Sequence, residues 1–78
     1  MPRFFFHLRD GESLDDPDGI FLPDTRSARL EAIRNARDIM AEDVRRGRLA
    51  LSSWIEVTDE NGEAIFAVPF AEAVDICR

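Results

Sequence analysis

Lysine is missing from this chain of 78 residues, and cysteine occurs once, at Cys77. Small secreted domains are normally stapled by an even set of disulfides, so a lone thiol beside the last residue predicts a reducing, cytoplasmic setting. No apolar run approaches the ~18 residues of a membrane-spanning helix. Nor does the start carry the apolar stretch of a secretory leader, since Phe4-Phe5-Phe6 is followed at once by His7, Arg9 and Asp10. There is no glycine-rich phosphate loop, no Cys/His set at metal spacing and no Ser/His/Asp arrangement. These absences leave no catalytic, cofactor-binding or metal-ligating residue to nominate, and the chain is read as a non-enzyme.

With lysine gone, every basic residue is arginine, which points to genome base composition rather than to selection for phosphate binding. Charge is laid out unevenly. Residues 1–24 hold two arginines against six acids, residues 25–48 seven against four, and residues 49–78 one against six, within a net charge of −6. A basic middle between two acidic ends favours internal pairing or association of copies over nucleic acid.

At this length one domain, residues 1–78, is expected, with a net stability of roughly 4–12 kcal/mol on the usual per-residue scale. Arg3 to Arg9 reads as a strand, and Asp10-Gly11 as a turn before a short return strand over residues 12–15. Asp16-Pro17-Asp18-Gly19 is a second turn, and Ile20 to Leu22 a further extended piece ended by Pro23. Asp24 is placed to cap a helix over residues 25–46, whose apolar stripe runs Ala28, Ala32, Ile33, Ala36, Met40, Val44, with Leu30 and Ile39 on its margins. Its outer face offers Arg34 four residues from Asp38, and Glu42 near Arg45 and Arg46. Gly47 supplies the left-handed position that ends it.

Trp54 to Thr58 and Glu63 to Val68 flank Asp59-Glu60-Asn61-Gly62, the strongest local signal, a hairpin. A three-residue loop with Gly62 at a bulge is the preferred form. It sets Ile55 and Val57 on one face with Ile65 and Ala67, and leaves Trp54, Phe66 and Val68 on the other. A two- or four-residue loop would reverse this. Phe70 to Cys77 is expected to add two helical turns. The fold class is therefore α+β in two layers: an antiparallel sheet of three or four strands, one long helix on one face, order ββαββ(α).

The pattern carries a mismatch. Both strand regions bear large apolar side chains on both parities, while a single helix can cover only one face. Phe5, His7, Trp54, Phe66 and Val68 are left as a candidate interface, and a second copy of the chain is the simplest cover. The expectation is a small soluble interaction or structural module, homodimeric through an aromatic sheet face. The alternative is a regulator that binds nucleic acid or an anionic ligand through the helical arginines, with Arg45, Arg46 and Arg48 as a cluster. His7, the only histidine, is read as a structural or interface imidazole, and Cys77 as a poor nucleophile without a fixed partner. Asp15, Asp16 and Asp18 before Gly19 imitate a calcium loop, but the first and twelfth loop positions would then be Leu14 and Thr25, so they are read as a solvated turn.

Three stretches together resemble a family of short, uncharacterised bacterial proteins. They are Pro2-Arg3-Phe4-Phe5-Phe6-His7 with Asp10-Gly11, then Asp18-Gly19 with Leu22-Pro23-Asp24, and finally Ile55 to Gly62 leading to Val68-Pro69-Phe70. The resemblance spans nearly the whole chain. It implies a single domain of unknown function and brings no functional residues with it.

Overall fold

Period-two alternation puts Phe4, Phe6 and Leu8 on one side of β1 (Arg3–Arg9) and Phe5 and His7 on the other. The computed structural model, which describes residues 1–11 and 13–77, builds one open antiparallel sheet around this strand. On one side β1 pairs with β4 (Trp54–Thr58), which pairs in turn with β5 (Ala64–Pro69). On the other it pairs with both β2 (Ser13–Leu14) and β3 (Ile20–Phe21). One helix, α1 (Thr25–Arg45), lies across one face. The chain is α+β as expected, with five strands instead of three or four.

The extra strand is the extended piece expected from Ile20, which pairs with β1 as β3, so three strands and not two precede α1. Leu8 faces Leu14 and Phe4 faces Ile20, so residues 15–19 swing out opposite residues 5–7. Gly19 permits the return with φ +70. Glu12, the first residue of the expected return strand, lies outside the described residues. Leu22 adds a bond from its N–H to the Pro2 carbonyl at 3.0 Å, which ties down the edge beyond β3.

Helix α1 starts where the cap predicts, with the Asp24 carboxylate accepting from the Ser27 N–H at 2.8 Å. It ends in a Schellman arrangement: Arg48 N–H reaches the Asp43 carbonyl, Gly47 N–H reaches Val44, and Gly47 has φ +84. Ala28, Ala32 and Ala36 have no exposed surface, so the helix backbone approaches the sheet closely. Val44 departs from the expected stripe and is exposed, as is Leu30. A 21-residue helix is about 31 Å long, whereas strands of five to seven residues span only about 17–23 Å. Val44, in the last turn, is correspondingly exposed. Arg34 pairs with Glu31 at 3.8 Å rather than with Asp38, while Glu42 takes both Arg45 and Arg46.

The second hairpin corrects the expected register. Its loop is the one foreseen: Gly62 N–H meets the Asp59 carbonyl, Asp59 N–H meets the Glu63 carbonyl, and Gly62 has φ +81. A second bulge then intervenes, because Val57 pairs with Phe66 and Thr58 with Ala64, leaving Ile65 without a partner across the ladder. One extra residue flips everything beyond it. Phe66 and Val68 consequently join Ile55 and Val57 on the helix side, where Val68 is only 3 % exposed and the Arg29 guanidinium lies 4.6 Å from the Phe66 ring centre. Neither belongs to the second face as expected.

The C-terminal helix shrinks to one 3₁₀ turn, Phe70–Glu72. Phe70 N–H is held by the Ser53 carbonyl at 2.9 Å, and Arg37 Nε donates to the Ala73 carbonyl at 2.7 Å. That carbonyl is thereby taken from the bond a continuing helix would have made. The turn packs against α1, with Phe70 and Ala73 inside the core, and so does nothing to roof the opposite face of the sheet.

Candidate functional site

The face opposite α1 carries Arg3, Phe5, His7 and Arg9 from β1 in a row, by the same alternation that buries Phe4 and Phe6. Beside them the ladder sets Thr58 against Phe5, Glu56 against His7 and Trp54 against Arg9. Ala67 and Pro69 of β5 continue the rows past Glu56 and Trp54.

Polar groups on this face are mostly engaged with one another. The detour over residues 15–19 folds back on β1 through Asp16, whose carboxylate accepts from Phe6 N–H at 3.2 Å, Asp18 N–H at 3.0 Å and Gly19 N–H at 3.1 Å. The side chain thus stands in for the ladder carbonyl that the detour removes. Asp16 N–H donates to His7 Nδ1 at 3.0 Å, which fixes that nitrogen as an acceptor, and the ring proton on Nε2 donates to Thr58 Oγ1 at 2.9 Å. Both imidazole nitrogens are occupied by the fold. His7 therefore helps to hold the detour against β1 and β4.

Arg9 bridges Asp15 at 2.7 Å and Glu56 at 2.9 Å. The Asp15 carboxylate, hydrogen-bonded by Arg9, is held below the ordinary carboxylate range. At Asp16, burial is the largest single influence and pushes upward, but the N–H groups of Gly19, Asp18 and Phe6 together outweigh it and leave the carboxyl lowered. Asp24 is lowered by the Ser27 backbone N–H it caps. All three carboxyls bind protons less readily folded than unfolded, so stability rises with pH across this window. Their contribution is complete above the unfolded value of about 4 and is lost as pH falls through the lower folded values. Urea midpoints measured from pH 5 down to pH 2 should be flat at first and then drop. Asp16→Asn should flatten the drop, and an unchanged profile would refute this account.

The acid-rich segment does not gather into a cation loop. Asp15 turns to Arg9 and Asp16 to backbone N–H groups, and among the described residues no three His, Cys, Asp or Glu side chains converge as a metal site requires. Cys77 is exposed.

Aromatic rings occupy the rest of the face. The Arg3 guanidinium lies 5.2 Å from the Phe5 ring centre and 5.4 Å from that of Phe21, and it also donates to the Asp18 carbonyl. Phe5 and His7 stack within 3° of parallel at 6.4 Å. Trp54 is 40 % exposed and Phe21 56 %. Of the expected interface, Phe5, His7 and Trp54 do share this face; Phe66 and Val68 do not. Sequence reasoning missed Phe21 and the anchoring role of Asp16, although an aspartate two residues before another in Asp16-Pro17-Asp18-Gly19 is an Asx-turn signal.

A family model described as a domain of unknown function, DUF6894, matches residues 3–71. The chain belongs to this family. The matched span runs from β1 into the 3₁₀ turn and so takes in the whole sheet, α1 and the Asp16 detour. It agrees with the expectation of a domain of unknown function spanning nearly the whole chain. No curated protein and no solved structure matches the chain.

Proposed function

We propose that this DUF6894 domain is a non-catalytic, cytoplasmic interaction module that pairs with a second copy of itself through the sheet face opposite α1. The observation that carries this reading is the second face: the 15–19 detour reaches only its Phe5 and His7 end, among the described residues no helix lies across it, and Trp54 and Phe21 stand exposed on it. Open aromatic surface beside satisfied polar groups is the composition of an association surface. The mixed row of Arg3, Arg9 and Glu56 supplies charges of both signs for a partner related by two-fold symmetry. No helix of the described residues is long and apolar enough to cross a membrane, and the single exposed thiol suits a reducing compartment.

Sedimentation velocity tests the pairing. The native chain should run as a dimer at high micromolar concentration, and Trp54→Glu should run as a folded monomer, because a tryptophan buried in an interface typically contributes about 2 kcal/mol or more, roughly thirtyfold in affinity. A monomeric native chain, or a Trp54→Glu dimer of unchanged affinity, overturns the proposal.

The helical arginines support the alternative less well. Arg29 sits on Phe66, Arg37 on the Ala73 carbonyl, Arg34 on Glu31, and Arg45 and Arg46 on Glu42. A nucleic-acid or anion-binding role would require binding that weakens steeply with salt.

A further inference from the structure

On the helix side the interrupted edge strand leaves a groove that the association surface does not use. Phe6, Leu8 and Ile55 form its floor, and Leu14, Ile20 and Ile39 its apolar walls, around a space of about 490 Å³ open to solvent along one side. Leu14 is 64 % exposed and Ile20 39 %, although both sit on strands with their neighbours paired. The groove exists because residues 15–19 swing away from the ladder. A continuous edge strand would bring further side chains over this corner of the core.

The rim is of one sign. Asp15, Asp16 and Asp38 line the groove together with Asn35, and among the described residues no arginine does. Asp16 is committed to backbone N–H groups and Asp15 to Arg9. Asp38 is different: the Arg34 expected to pair with it has turned to Glu31, and Asp38 lines the groove as an exposed residue. An apolar trough with the Asp38 carboxylate on its rim complements a chain segment that presents aliphatic side chains next to an arginine or lysine.

We infer that this groove docks a short basic, apolar segment of a partner protein, with one or two aliphatic side chains on Leu14, Ile20 and Ile39 and a cation beside Asp38. The surface is distinct from the aromatic face and lies on the other side of the sheet. One chain can therefore hold its copy and a basic segment at once.

The test is a methyl-resolved NMR titration of the intact protein with three acetylated, amidated tetrapeptides: Arg-Leu-Leu-Arg, Glu-Leu-Leu-Glu and Arg-Gly-Gly-Arg. The first should shift the methyls of Leu14, Ile20 and Ile39, bind at least severalfold more tightly than the other two, and weaken with added salt. Asp38→Asn, an isosteric change at the surface, should lower its affinity about twofold to fivefold while leaving the melting temperature unchanged. Leu14→Ser should weaken it with the fold intact. Equal shifts from the acidic peptide, shifts centred outside the groove, or no shift at millimolar peptide would overturn the inference. So would groove shifts that grow with protein concentration alone, because the occupant would then be a second copy. Dimerisation through Trp54 is read separately by sedimentation, so either idea can fail without the other.

Discussion

Phe70→Ala should destabilise the domain by about 3–5 kcal/mol, the usual range for removing a fully buried phenylalanine ring. Phe70 is 1 % exposed and is among the largest side chains wholly inside the molecule. It fills the end of the core between α1 and the strands, and its N–H is fixed by Ser53, so the surroundings cannot easily collapse into the vacated space. Against a total of roughly 4–12 kcal/mol, such a loss leaves the chain partly unfolded at room temperature or melting about 15–30 °C lower. Leu30→Ala, on the solvent side of α1, is the control and should change stability by less than about 0.5 kcal/mol. Urea denaturation followed by Trp54 fluorescence measures both. A Phe70→Ala loss below about 1 kcal/mol would mean that the 3₁₀ turn is not part of the core.

Gly19→Ala is the second large effect, and the remaining glycines calibrate it. Gly19, Gly47 and Gly62 all have positive φ, at 70°, 84° and 81°. The left-handed backbone alone costs an alanine about 1–2 kcal/mol. Gly47 and Gly62 have open space where a Cβ would go, so their alanine variants should lose about that much and no more. At Gly19 the added carbon would lie 2.9 Å from the Phe4 carbonyl oxygen and 2.9 Å from Phe5 Cε2. One obstacle is backbone and the other a ring held by Arg3, so overpacking adds a further 1–3 kcal/mol, for about 3 kcal/mol in all. Because the strain falls on the detour, Gly19→Ala should also release the Asp16 bond and speed hydrogen exchange at Phe6 N–H, which Gly62→Ala should not. Equal losses at both glycines would refute the close approach.

The elements readable from the chain are those whose signals are local. Asp24, the alanines of α1 and Gly47 mark one helix from cap to cap, and each acts within four residues of itself. Gly62 likewise defines its own loop. What the chain did not disclose is decided across distance. The stretch Ala64 to Val68 is apolar at every position, so alternation could not choose a face; the bulge at Ile65 chooses it, through Phe66 against Arg29 and Val68 against the core. The missing C-terminal turns have a similar origin, since Arg37 claims the Ala73 carbonyl from 36 residues away. The candidate site was partly legible for the same reason. Phe5, His7 and Trp54 follow from period two within single strands, whereas Phe21 reaches the same face only because β3 pairs with Arg3 and Phe4 after the detour.

That detour and the bulge on β5 occupy the two outer borders of the sheet. One border is broken by five residues and armed with aspartates, and the other is kinked at Ile65 and closed by Pro69, which has no N–H to offer. Neither can template another strand over any length. A chain this small can thus keep greasy broad sides for recognition while remaining protected from runaway fibrillation at its rims.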